Sequence, residues 1–132
     1  MKDIAIPFHL AAPTILCLVG LSMMVFYYKI LKMNRLFRNS LMLFLGLYLL
    51  LVGKATYYTI YYQWDLNSYD LNQDGFFNGI EITNSQKEAM RVLTNDSGRN
   101  FLFISGFIFA FFSSTIFYVL GLITSKVIRS KK

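Results

Sequence analysis

Three stretches of this chain are too long and too apolar for its remaining polar residues to cover. Residues 10–28 and 101–124 run for 19 and 24 residues without a charged side chain. Residues 41–53 are apolar throughout, and an aromatic run continues them past Lys54 to Trp64. A helix rising ~1.5 Å per residue crosses bilayer hydrocarbon in ~20 apolar residues. The first and third stretches reach that length alone. The second reaches it only with Lys54 and its tyrosine neighbours inside, or at the edge of, the bilayer. At 55 % hydrophobic and 17 % aromatic residues in a chain of 132, no polar shell remains to make these helices a soluble core. The expected fold is all-α, a single membrane domain built as a three-helix transmembrane bundle. The expected spans are residues 8–31, 39–62 and 100–125, with a hydrophilic segment, 63–99, between the second and third.

The first stretch does not read as a cleavable signal peptide. Its leading residues carry Lys2 beside Asp3 rather than a basic cluster, and the stretch runs into Lys29 and Arg38 without a small-residue cleavage site. Charge then sets an expected orientation. Lys29, Lys32, Arg35 and Arg38 follow the first span, and Lys126, Arg129, Lys131 and Lys132 follow the third, with no acidic residue in either group. The 63–99 segment mixes acids and bases. The positive-inside rule places both basic groups in the cytoplasm, and the N-terminus and the 63–99 segment outside, in a plasma membrane or bacterial inner membrane. Topology and anionic headgroups account for most of the net charge of +6. No recognition motif accompanies the basic groups, so nucleic acid is not an expected partner.

Inside the hydrophilic segment, residues 70–81 read Asp-Leu-Asn-Gln-Asp-Gly-Phe-Phe-Asn-Gly-Ile-Glu. They fill the pattern D-x-[DN]-x-[DN]-G-x₅-E at every demanded position, and the segment resembles an EF-hand calcium loop over residues 66–93. Calcium is a hard cation that takes six to eight oxygens. The resemblance implies a ligand set of Asp70, Asn72 and Asp74 at positions 1, 3 and 5, the Phe76 carbonyl at 7, Asn78 at 9 and a bidentate Glu81 at 12. Gly75 at position 6 would permit the sharp turn. The competing reading is an Asn/Asp/Gly-rich surface turn. The second span is expected to continue as the entering helix and an exiting helix to run from about Gly79 to Thr94. Asn95 to Gly98 then return the chain to the third span. No second loop of this pattern occurs, so Phe77 at position 8 is expected to be an exposed ring beside unpaired backbone, a docking edge for another chain.

Other chemistry is sparse. Lys54 is the one ionisable residue within a span; it either snorkels outward among tyrosines, bonds between helices, or serves transport. His9 is expected to be a capping or interfacial group, or an extra ligand. Cys17 has no partner for a disulfide. The span serines lack a general base, and neither a phosphate-binding glycine loop nor a Cys/His metal cluster occurs, so no enzymatic role is expected. Gly106, Ala110 and Ser114 form a small-residue stripe, and Gly46 and Gly53 share a helix face; either could pack within the bundle or against another membrane protein. The functional expectation is a calcium-binding accessory or structural membrane subunit, partnered by lipid and by another membrane protein or a second copy. The alternatives are a calcium-sensing signalling protein and a small transporter or channel subunit using Lys54.

Overall fold

A computed structural model describes residues 4–27, 30 and 32–130. These form four α-helices and no strand: α1, Phe8–Phe26; α2, Arg35–Asn67; α3, Asn84–Asn95; and α4, Ser97–Ser130. Three of the helical stretches are long and apolar enough to cross a membrane.

Each boundary has a local cause. Pro7 precedes α1, where a missing N–H costs nothing. The helix stops at Phe26, short of the expected 31, because Tyr27 leaves helical geometry; Tyr28, Lys29 and Leu31 lie outside the described residues. α2 starts four residues before the expected 39, because the Asn34 side chain accepts a hydrogen bond from the Leu36 N–H at 2.9 Å and caps it there. No proline interrupts α2, so one 33-residue helix carries both the apolar stretch and the aromatic run. α4 likewise overruns its expected bounds at both ends, spanning 34 residues.

α2 is the axis of the assembly. It packs along both α1 and α4, which touch one another only marginally, and α3 lies against its upper part. Leu10, Cys17, Tyr48, Val52, Ala55 and Ala110 make the buried core. The Gly106/Ala110/Ser114 stripe is buried, and a Cβ at Gly106 would stand 3.3 Å from Leu51 Cβ. The stripe thus lets α4 approach α2 within this chain, whereas Gly46 has no neighbour within 4 Å of its Cβ position. Several polar groups within the bundle are paired: Tyr48 donates to the Phe103 carbonyl at 2.9 Å, and the Thr14 and Thr56 hydroxyls lie 3.1 Å apart, whereas the buried His9 Nε2 has no hydrogen-bond partner. The outward faces are apolar, with Leu16, Met23, Leu50, Phe109, Phe112 and Ile116 all at least half exposed.

Candidate metal centre

α2 delivers the loop. Its last turn closes at Asn67, the Ser68 N–H returns to the Trp64 and Asp65 carbonyls, and Asp70 follows two residues later. From there the carboxylates and amides fold back onto the loop's own backbone. Asp70 Oδ2 accepts the Gly75 N–H at 2.9 Å. Asn72 Oδ1 accepts the Asp74 N–H at 3.0 Å, and its amide donates to Asp74 Oδ2 at 2.9 Å. Asp74 Oδ1 accepts the Phe76 N–H at 2.7 Å. Two residues adopt positive φ to make this curl, Gln73 at +59° and Gly75 at +83°. The second falls where the ligand pattern demands glycine, since a Cβ makes that conformation costly.

Glu81 closes the far end. It is 4 % exposed. Its Oε1 accepts the Leu71 and Asn72 N–H groups at 2.8 and 3.1 Å, and its Oε2 accepts the Asn78 N–H at 3.2 Å. One buried carboxylate therefore ties position 12 to positions 2, 3 and 9. Among the described residues the only ion pairs are Arg91–Glu88 and Arg99–Asp96, so none of the described lysines and arginines pairs with Asp70, Asp74 or Glu81. Asp70 Oδ1 is buried and accepts no hydrogen bond.

Tested against calcium, the loop matches in donor chemistry and falls short in convergence. The donors are all oxygen, with three carboxylates and two side-chain amides, which suits a hard cation. The buried, unpartnered Asp70 oxygen is a further point in favour. However, no three His, Cys, Asp or Glu side chains among the described residues gather closely enough to hold a metal ion. The loop brings Asp70, Asn72 and Asp74 into one hydrogen-bonded curl. Glu81 faces the curl from below, with its oxygens engaged by backbone N–H groups. Phe76 is 75 % exposed, so its ring makes no demand on the position that would offer its carbonyl.

Three expectations are corrected at this site. The exiting helix does not begin at Gly79. Residues Gly79–Glu81 form one 3₁₀ turn, with Asn78 and Glu81 capping each other, and α3 starts only at Asn84, where the Thr83 hydroxyl accepts the Gln86 N–H. Gly79 at φ +53° lacks α-helical geometry, and binding Glu81 to the loop turns the chain away from α-helix until Thr83 recaps it. The return to α4 is one residue, Asp96, rather than the four from Asn95 to Gly98. Asp96 Oδ1 accepts the Arg99 N–H at 2.9 Å, and Arg99 Nη2 donates to the Leu93 carbonyl at 2.6 Å, so one break both ends α3 and starts α4. Phe77 is not an exposed ring. It is half-buried and lines a cavity of about 430 Å³ beneath the loop with Leu66, Met90 and Leu93. The exposed apolar side chains are instead Phe76, Ile80 and Leu71.

Two supports had no sequence signal. The Gln63 side-chain amide donates to the Ala5 carbonyl at 2.7 Å and accepts the Ala5 N–H at 2.8 Å, pinning the N-terminal segment to the last turns of α2. Arg99 is 7 % exposed, and its guanidinium lies 5.2 Å from the Tyr62 ring centre, anchoring the α3–α4 corner on α2. On the solvent side of α3, two hydrogen bonds from Arg91 hold the Glu88 carboxyl below its ordinary range.

The remaining singled-out residues stand away from the loop. Lys54 is exposed on α2, its ammonium 5.9 Å from the Tyr58 ring centre. The His9 ring meets the Phe103 ring at a 49° tilt, their centres 5.1 Å apart, joining α1 to α4. Cys17 is buried in the core. No family of known proteins, no curated protein and no solved structure matches this chain.

Proposed function

We propose that this chain is a calcium-binding integral membrane protein, an accessory or structural subunit whose outer segment Ca²⁺ orders. The observation that carries the reading is the 70–81 loop. Its complete ligand spacing coincides with three carboxylates that face the loop's own N–H groups and form no ion pair with a basic side chain among the described residues. Asp70, Asn72, Asp74, the Phe76 carbonyl, Asn78 and Glu81 are the proposed ligands. These residues would present oxygens to the ion and fix how α3 leaves α2, and calcium, when bound, would supply the positive charge that offsets their carboxylates. The apolar outer faces of α1, α2 and α4 support insertion in a bilayer, and the charge asymmetry supports a cytoplasmic tail with the loop outside.

Titration calorimetry of the detergent-solubilised chain tests this reading. One calcium site per chain is expected, with calcium preferred over magnesium, because a large, flexible oxygen shell suits the larger ion. Absence of calcium-dependent heat, or equal response to magnesium, refutes it.

The uninterrupted run of α2 into the loop favours a second reading, in which calcium signals through that helix. Affinity separates the two. At outside calcium of about 10⁻³ M, a site of 10⁻⁴ M or tighter stays filled and acts structurally, while a weaker one reports concentration. The transport reading has less support, since Lys54 faces away from the helix contacts instead of lining a path between them.

A further inference from the structure

At the end opposite the loop, α2 and α4 enclose a cavity of about 540 Å³. Arg35 and Asn39 of α2 and Ser125, Lys126 and Arg129 of α4 line it, with Asn34 at the mouth. Three cations thus face one space, and all three are exposed. Every side-chain carboxylate within residues 4–130 lies between Asp65 and Asp96. The 30 helical residues from Arg35 to Asp65 put the nearest of them along α2 about 45 Å away. Arg35, Lys126 and Arg129 therefore repel one another across the cavity with no side-chain carboxylate among the described residues near enough to relieve them. The N-terminus of the 33-residue α2 opens at the same place and adds its own positive end.

An apolar groove of about 460 Å³ lies further along the same pair of helices, walled by Phe37, Phe44, Phe107, Phe111 and Tyr118. The rings of Phe37 and Tyr118 meet edge-on at 6.2 Å, and those of Phe44 and Phe107 at 5.4 Å. Phe107, Phe111, Tyr118, Leu122, Ser125 and Arg129 recur at helical spacing, so a single face of α4 serves groove and cavity in turn, aromatic first and cationic last.

From this order of surfaces, we infer that the α2–α4 seam binds an anionic phospholipid, its phosphate among Arg35, Lys126 and Arg129 and an acyl chain along the aromatic groove. Arginine presents a planar fork that takes two phosphate oxygens, and Asn39 and Ser125 add neutral donors. Basic pockets between membrane helices are suited to anionic headgroups. A free phosphate would use only the cationic half and leave the groove without a role. The inference rests on the membrane-spanning reading above and is independent of calcium.

The test uses the full chain in mild detergent with chelator present throughout, so that failure of the calcium reading leaves it untouched. Nanodisc incorporation is scored first and separately. Lipid retention by native mass spectrometry, together with thermal stabilisation, is then compared for phosphatidylglycerol, phosphatidylcholine and inorganic phosphate. Phosphatidylglycerol is expected to be retained and to stabilise, phosphatidylcholine to do so far less, and inorganic phosphate to have no effect at equal concentration. Each of Arg35→Gln, Lys126→Gln and Arg129→Gln should lower phosphatidylglycerol affinity about fivefold. The triple variant should no longer distinguish the two lipids, and Lys87→Gln at the far end should change nothing. Ser125→Trp, which fills the mouth without altering charge, should also abolish retention while leaving the helical signal intact. Equal retention of both lipids by the wild type overturns the proposal, as does a triple variant that still prefers phosphatidylglycerol. Stabilisation by inorganic phosphate alone would replace the lipid with a soluble anion.

Discussion

The two ends of α2 are organised by different physics. Its lower two-thirds are packed by shape: small residues admit close neighbours, aromatic rings meet edge to face, and the few hydroxyls return to nearby carbonyls. Beyond the helix's end, in the loop, almost nothing is packed, and order comes from side-chain oxygens accepting backbone N–H groups. The first arrangement tolerates the loss of any single polar contact but not a change of volume. The second has the opposite sensitivities, because a single carboxylate, Glu81, holds the N–H groups of three residues at once.

Substitutions can separate these sensitivities. The largest effect is expected from Glu81→Ala, which should abolish the proposed calcium binding and leaves the N–H groups of Leu71, Asn72 and Asn78 without this acceptor. Even in chelator the loop should lose about 2–4 kcal/mol. Hydrogen exchange should show opening confined to residues 68–83, with the long helices still protected. Protection lost throughout the bundle would erase the distinction between the two regions. Gly106→Leu is the converse change, forcing a side chain against Leu51 and Tyr48. It should destabilise the bundle by about 1–3 kcal/mol in thermal melts and leave the calorimetric calcium affinity unchanged.

Gln63→Ala lies between the two regions. It removes both hydrogen bonds to Ala5, should cost about 1 kcal/mol, and should release the N-terminal segment to limited proteolysis without moving the calcium affinity by more than a few fold. The smallest effect belongs to the exposed Glu88–Arg91 pair. Because the folded Glu88 carboxyl is held below its ordinary range, its contribution is present above the unfolded-state value and fades as pH falls through the lower folded one. Arg91→Gln should therefore flatten the acid side of the stability profile slightly, and salt should mask the difference.

How much of this was legible in the sequence follows the same division. Three apolar runs gave three long helices, because length and composition decide whether a helix can cross a bilayer. Their ends were less legible, since an Asn34 cap or a single-residue break at Asp96 depends on one side chain finding one N–H. In the loop, ligand spacing located the carboxylates but could not tell that Glu81 would fold inward on Leu71, Asn72 and Asn78, delaying α3. Phe77 was misplaced for a related reason: the delayed helix changes which ring turns toward Leu66 and Met90. The Gln63–Ala5 clamp joins residues 58 apart, and no periodicity announces such a pair.

The length of α2 sets the height of the 70–81 loop above any bilayer the chain spans. If Arg35 marks the inner boundary of the hydrocarbon, the ~30 Å core ends ~20 residues later, beside Lys54, and Tyr57, Tyr58, Tyr61 and Tyr62 fall in the headgroup layer. The 13 residues from Lys54 to the helix end at Asn67 add about 20 Å more, most of it beyond the headgroups. Surface potential decays over ~8 Å at physiological salt. On the proposed reading, the loop would be lifted clear of the ion cloud that anionic lipid gathers, and the calcium it met would be at bulk concentration whatever the composition of the leaflet below.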